Sequence, residues 1–271
     1  MTETGGFVVN TFPYIWERTA GEAMADLAGM GFRRFEILLT APHLWPAEAG
    51  AEARRALAAQ VAAEGCEIVS LNPGGFDNNL ASPAADVRRF AQDYLLEVIR
   101  LAGELGAELI VVSPGVARPL LRPPREHLMG WLAEGVDRLL PEAERAGVRL
   151  CLENIPFTFL PRAADVMEAV DRLAGGGMGV IYDVANAVHA GEDPCEGLST
   201  VAPRLAMIHL SDTGWTAWRH DPPGAGVVPF RAIAATRREE GLDCPVAVEF
   251  ITDAPARDIP EGVAALRKAG W

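Results

Sequence analysis

The stretch Arg149-Leu150-Cys151-Leu152-Glu153-Asn154-Ile155-Pro156 decides the fold. Arg149 to Leu152 fit a short buried strand, and Pro156 cannot remain in the ladder of a central strand. Glu153 therefore falls at the C-terminal tip, where a sheet ends and a pocket can begin. Taken alone it reads equally well as a solvated loop carboxylate. Three later apolar runs end the same way, in Tyr182-Asp183, Ile208-His209 and Val248-Glu249. Two Glu, one Asp and one His, each ending its own strand, form the pattern of a metal site built from strand tips.

Working outward, eight strand signals alternate with helix signals at roughly 30-residue spacing. The strands are expected at 7–12, 34–39, 67–72, 109–113, 149–153, 179–183, 205–210 and 245–250. Helices are expected at 22–30, 51–64, 82–105, 125–146, 161–173, 230–240 and 259–269, with a short helical piece from Asp193-Pro194. Ser82 is expected to cap the third helix, with Pro83 as its first residue. Glycines stop several of these helices, as at Gly106 and Gly147. Gly74-Gly75 and Gly175-Gly176-Gly177 mark loops. The apolar runs are continuous rather than alternating, as in parallel strands covered on both faces. Eight such units in 271 residues, with no linker or composition break, predict a single-domain (β/α)₈ barrel over 1–271. The alternative is an open doubly wound sheet. Against it, Asn10-Thr11-Phe12-Pro13 stands where a glycine-rich dinucleotide loop would follow the first strand.

Composition narrows the function. The chain is 49% hydrophobic and 23% charged, enough for a sizeable core, and 37 acidic against 24 basic residues give a net charge of −13. Such a surface disfavours a nucleic-acid partner. Cys66, Cys151, Cys195 and Cys244 are widely spaced, which excludes a zinc ribbon and a disulfide framework. Cys66, Cys151 and Cys244 flank or lie in apolar runs and are expected to be buried free thiols. No apolar run approaches the roughly 20 residues of a membrane span. The N-terminus lacks a signal-peptide pattern. No membrane partner and a cytoplasmic setting are the expectation; a homo-oligomer is open.

In such barrels the active site lies at the C-terminal ends of the strands. The residues there are Asn10, Glu36, Asn72, Ser113, Glu153, Asp183, His209 and Glu249. The last four sit on consecutive strands, an arc that can converge on one point. Three uncompensated carboxylates so placed repel, and a divalent cation removes that repulsion. Three oxygen donors and one imidazole favour Mn²⁺, Mg²⁺ or Co²⁺ over a thiolate-type zinc site, with Zn²⁺ as a further candidate. Four protein ligands in octahedral geometry leave two positions for a carbonyl and a neighbouring hydroxyl of a sugar. Polarising that carbonyl acidifies the adjacent C–H and leads through an enediolate. Glu153 and Glu249 would each bind the metal and act as acid or base. Asp183 and His209 would be plain ligands.

These residues resemble the xylose isomerase-like barrel superfamily, the sugar phosphate isomerase/epimerase family. The resemblance covers essentially the whole chain. It rests most on Leu152-Glu153-Asn154, Asp183-Val184-Ala185-Asn186, His209-Leu210-Ser211-Asp212 and Val248-Glu249-Phe250. It implies a divalent metal, often Mn²⁺, on Glu153, Asp183, His209 and Glu249, with the two Glu shuttling a proton. Two departures stand out. Ketose 3-epimerases of the family carry His three residues after the Asp, where this chain has Asn186; its nearest imidazole is His189. Their Arg after the metal His is also displaced, and Arg219-His220-Asp221 comes later, in the long loop 211–229. Relatives of the endonuclease IV type place further His at strands three and four, where Asn72 and Ser113 stand.

Asn10, Glu36, Asn72, Asn186, His189, Arg219 and His220 are the candidate substrate contacts. Glu36 has an alternative as a salt-bridge partner of Arg33 or Arg34, and His189 as a helix-start or surface imidazole. Trp45, Phe76, Trp215 and Trp218 are candidate lid rings or oligomer contacts; His43 and His127 read as structural or surface residues. The expected function is a metal-dependent isomerase or epimerase of a sugar, cyclitol or keto-sugar. The alternatives are a metal-dependent dehydratase (a lyase) of an inosose- or dehydroshikimate-like compound, and a non-catalytic ligand-binding barrel.

Overall fold

A computed structural model describes residues 6–74, 78–116, 120–173 and 177–271. Gly75, Phe76, Gly175 and Gly176 lie outside the described residues. The chain runs β1 (Phe7–Asn10), α1 (Ala20–Gly29), β2 (Arg34–Leu38), α2 (Ala51–Ala63), β3 (Glu67–Asn72), α3 (Ala85–Leu105), β4 (Leu109–Val112) and α4 (Arg125–Ala146). It continues through β5 (Arg149–Glu153), α5 (Ala163–Leu173), β6 (Gly179–Asp183), α6 (Val184–His189), α7 (Pro194–Val201), β7 (Leu205–Leu210), α8 (Phe230–Glu239), β8 (Val246–Val248) and α9 (Pro255–Lys268). The eight strands pair in chain order and close, β8 lying parallel to β1. The fold is the expected (β/α)₈ barrel.

Strand side chains alternate between two environments, and that alternation places the site. Val8, Cys151, Ile181, Met207 and Ala247 fill the barrel interior. Val9, Leu150, Leu152, Tyr182, Ile208 and Val248 point outward into the layer beneath the helices. Two residues on from each interior side chain comes Asn10, Glu153, Asp183, His209 or Glu249. A pleat of period two therefore aims all five into the barrel mouth. Register brings two of them level, since Asp183 and His209 are direct cross-strand partners.

Several boundaries differ from expectation, each for a local reason. β1 stops at Asn10 because the Asn10 side-chain oxygen accepts the Phe12 N–H at 2.7 Å, turning the chain into a 3₁₀ turn at Phe12–Tyr14. β4 ends at Val112 and β8 spans only Val246–Val248. α1 begins at Ala20 through a capping box between Thr19 and Glu22. Ser82 does not cap α3. Its hydroxyl takes the Ala84 N–H at 3.2 Å in an upstream turn, and Ala84 is the N-cap. α5 begins at Ala163, not Pro161, and the Glu192 carboxylate accepts the Ala163 N–H at 3.0 Å.

α9 starts four residues earlier than expected and runs through Pro260. α6 was not anticipated: β6 passes directly into it, with Asp183 as its N-cap. All four cysteines are free, but only Cys151 is buried, while Cys66, Cys195 and Cys244 are half-buried. Cys66 follows the exposed end of α2, and Cys244 precedes β8 at the barrel's rim.

α7 seats on the outward face of β6 through a close approach at Gly197. The buried Tyr182 hydroxyl donates to Glu192 at 3.0 Å, and a Cβ on Gly197 would lie 1.9 Å from that hydroxyl oxygen. Gly197→Ala should cost about 1–3 kcal/mol, the usual range for an overpacked core. In thermal unfolding followed by circular dichroism, the variant should melt several degrees below wild type. An unchanged midpoint would mean that α7 is not held against Tyr182.

Candidate metal centre

Glu153, Asp183, His209 and Glu249 each present one ligating atom, and these atoms lie within 4.8 Å of one another. All four residues are buried, and Asp183 and His209 have no exposed surface. β5, β6, β7 and the residue after β8 supply them, so the expected arc of neighbouring strands does converge. Asn154 fixes the first pair of tips. Its amide donates to the Asp183 carbonyl at 2.9 Å and accepts the Asp183 N–H at 2.8 Å.

Each ligating atom is held in place by what the rest of its side chain does. Asp183 spends Oδ1 on the Asn186 N–H at the start of α6, at 2.6 Å. Its Oδ2 is buried without a hydrogen-bond partner. His209 Nε2 lies 3.2 Å from Glu36 Oε2. In the neutral ring a proton on Nε2 would leave the Nδ1 lone pair for an ion, and Nδ1 is also buried without a hydrogen-bond partner. It sits 3.3 Å from Glu153 Oε1 and 3.4 Å from Glu249 Oε2. Glu249 Oε1 accepts from Asn10 at 3.1 Å and from Asn72 at 3.3 Å. Two orphaned buried atoms aimed at a carboxylate pair are costly for protein alone and suit a bound cation. A carboxylate behind a ligating imidazole is the usual support for such a ligand.

The electrostatics show the strain of leaving this cluster to protons. Burial pushes Glu153 up to about 7, only partly opposed by His209. Burial likewise pushes Asp183 up to about 6, opposed chiefly by His220. Burial also acts to raise Glu249, but His209 and His220 outweigh it and hold that carboxyl well below the usual range. Burial acts to lower both imidazoles, and the surrounding carboxylates more than reverse it. His209 is raised well above its ordinary value, and His220 to about 9. Without a metal, imidazolium protons do the balancing that a cation would do.

The candidate substrate contacts separate into three positions. Asn10 and Glu36 lie beneath the cluster and have essentially no exposed surface, at 1% and 0%. Glu36 accepts from Asn10 at 2.6 Å, Ser70 at 2.5 Å and His209, while Arg34 pairs with Glu67 instead. It therefore does not line the cavity at the barrel mouth, and it pairs with His209 rather than Arg34. Asn72, Asn186, Arg219 and His220 line a cavity of about 340 Å³ at the barrel mouth, together with Glu153 and Glu249. Asn186 is locked there by the Trp218 indole, which donates to its oxygen at 2.7 Å. His189 closes α6 away from this cavity, near the Gly214 carbonyl and against the Phe157 ring.

His220 lies closer to the chemistry than a pocket-wall role requires. Its Nδ1 is 3.3 Å from Glu249 Oε2, 3.8 Å from Asp183 Oδ2 and 3.0 Å from Ser211 Oγ. Of the candidate lid rings, Trp45 and Trp218 line the cavity and Trp215 is 62% exposed. Sequence reasoning gave no role to Ser70, Asn154 or Asp212. Asn154 and Asp212 stand inside quoted motifs, but their partners are backbone groups that only the fold brings near. Asp212 receives the Gly224, Gly226 and Val228 N–H groups at 2.8–3.0 Å and so shapes the loop carrying Trp218 to His220.

Similar proteins agree with this architecture. A protein from Methanocaldococcus jannaschii (the uncharacterized protein MJ1311) is 24% identical over 180 residues, covering 64% of this chain and 61% of that protein. A probable endonuclease 4 from Acholeplasma laidlawii is 24% identical over 200 residues, covering 65% and 66%. The chain thus spans less than two thirds of the length of either curated relative. Among solved structures, a D-tagatose 3-epimerase-like protein superposes with a TM-score of 0.84 at 20% identity, covering 97% of this chain and 96% of that one. The 3-keto-D-glucoside 4-epimerase of E. coli superposes with a TM-score of 0.80 at 18% identity, covering 97% and 99%. At such identities the superpositions establish the shared fold. The sequence model of the xylose isomerase-like TIM barrel matches residues 24–269, nearly the whole chain, and the protein belongs to that family.

Proposed function

We propose that this barrel is a divalent-metal-dependent isomerase or epimerase of a small sugar-like hydroxy-carbonyl compound. The observation that carries the reading is the pair of orphaned buried atoms, Asp183 Oδ2 and His209 Nδ1, within a four-residue ligand cluster at the floor of a pocket. Glu153, Asp183, His209 and Glu249 would hold the ion, with Mn²⁺ first among Mn²⁺, Mg²⁺, Co²⁺ and Zn²⁺ for a set of three carboxylates and one imidazole. When bound, the ion offsets the carboxylate charge and polarises a substrate carbonyl, which acidifies the neighbouring C–H.

The remaining work falls to the chain's own groups. Glu153 and Glu249 line the pocket, whereas Asp183 and His209 do not. That division suits the two Glu to proton transfer and the other two to holding the ion. A carboxylate that meets the pocket at a strand tip can both accept and return a proton. Asn10 and Asn72 fix the Glu249 carboxylate from below, while His220 faces its other oxygen. The solved epimerases among the structural neighbours agree with a sugar as substrate. A nuclease reading, suggested by the name of one relative, has less behind it: the net charge is −13 and the cavity is about 340 Å³.

The direct test is proton-exchange NMR in D₂O with the Mn²⁺-loaded protein and a panel of ketoses and inososes. Deuterium entering the substrate without loss of water is the expected result. A conjugated product absorbing in the ultraviolet would instead identify a dehydratase, and no turnover beside tight ligand binding would identify a binding protein. Glu153→Gln and Glu249→Gln should each lower kcat by about 10²–10⁴, the usual contribution of a positioned acid or base. Turnover near wild type in either variant would remove that Glu from the proton path.

Metal binding must also displace protons from the cluster. Glu153 loses its proton near pH 7 in the metal-free protein, and His209 holds one above its ordinary range. Below pH 7 the metal therefore competes with at least one proton. Mn²⁺ affinity should fall by at least about tenfold per pH unit from 7 to 5.5. Calorimetric titration of chelator-treated protein measures it, and an affinity constant across that interval would show that the cluster is not where the ion binds.

A further inference from the structure

The cavity above the cluster is two-sided. The ligand arc of β5 to β8 forms one wall. The wall across from it comes from β1, β2 and the residues that follow them: Phe12, Ile15, Leu38, Leu39 and Trp45. Leu38 shares the inward face of β2 with Glu36, two residues before it, so its place at the mouth is set by the same pleat that aims the ligands. The Trp45 ring is stacked on Tyr94 at 4.6 Å and 18°, which fixes its orientation before anything binds. Trp218 and Ile251 extend the apolar surface along the rim.

Besides Thr40, the polar side chains on this side are Asn72 and Asn78, and their amides are committed to neighbours. The Asn72 amide serves Glu36 and Glu249, and its oxygen accepts the Gly74 N–H. The Asn78 amide donates to the Pro73 and Gly74 carbonyls. The Asn186 oxygen belongs to Trp218, and Arg219, out at the rim, spends its Nε on Asp221. A free ketose bound at the cluster would carry hydroxyls on its far carbons into a wall of leucine, isoleucine and tryptophan. A hydroxyl buried there without a partner forfeits about tenfold in affinity.

We infer that the substrate is amphipathic: a hydroxy-carbonyl end for the metal cluster, joined to an apolar aryl or alkyl group that occupies the β1–β2 wall. The substrate class is then a sugar conjugate rather than a free sugar. This rests on the reading of the cluster as a site that chelates a hydroxy-carbonyl group. Each methylene buried against the wall contributes about fourfold in affinity, and a stacked ring contributes more.

The test uses three probes titrated calorimetrically into the Mn²⁺-loaded protein: hydroxyacetone, 2-hydroxyacetophenone and D-fructose. The first two share a hydroxymethyl ketone and differ only in methyl against phenyl. The phenyl ketone should bind at least tenfold more tightly than either of the others. Trp45→Ala should shrink that preference to within threefold, and Phe12→Ser, at a half-buried position, should do so if Trp45→Ala fails to fold. A preference below tenfold, D-fructose binding as well as the phenyl ketone, or a preference that survives both variants overturns the inference. Repeating the titrations after chelation separates it from the metal reading. A phenyl preference that is wall-dependent but indifferent to the chelator would leave the apolar wall standing and remove the metal.

Discussion

Three carboxylates and an imidazole crowd into a space 4.8 Å across, away from water. Two like charges at that separation repel by roughly 3–4 kcal/mol at an effective dielectric near 20. Several polar groups from different strands are arranged to offset that repulsion. Asn10 and Asn72 donate to Glu249, the α6 N-terminus donates to Asp183, and the imidazoles of His209 and His220 face the remaining oxygens. The barrel tolerates the cluster because eight converging strands bring donors from all sides at once.

Glu36 is the support on which this arrangement turns. It reaches from β2 across the interior to His209 on β7 and also receives Asn10 from β1 and Ser70 from β3. With Asn72 as a fourth partner, this fully buried acid is not a surface charge that happened to be covered. In a neutral ring it would favour the tautomer that leaves Nδ1 free for the cluster, and it ties one half of the barrel to the other. Positions far from the cavity in contact terms thus set the geometry of the ligands.

The barrel and its ligand arc were legible because both rest on short-range rules. A buried strand ends where a charged residue and a proline follow, and a pleat of period two sends Glu153, Asp183, His209 and Glu249 to one side. Distances across the barrel were not legible. Glu36 reads as a pocket wall or a partner of Arg34 because sequence spacing says nothing of His209, 173 residues away. Ser82 reads as a helix cap because the pattern of Ser-Pro before a helix does not reveal that its hydroxyl is used one turn early. His220 reads as a loop residue until the loop 211–229 is seen to fold back over β6 and β8.

That folding back depends on Asp212. Its carboxylate gathers the Gly224, Gly226 and Val228 N–H groups, and a Cβ on Gly226 would stand 2.2 Å from the Thr213 carbonyl oxygen. The knot fixes both ends of the loop and leaves its tip, Trp215 to Ala217, exposed to solvent. Mutations at the tip are thereby decoupled from the buried chemistry. Since the cavity begins only at Trp218, substitutions at the tip leave the reactive floor intact, and this is the part of the loop that a lineage can rewrite at least risk.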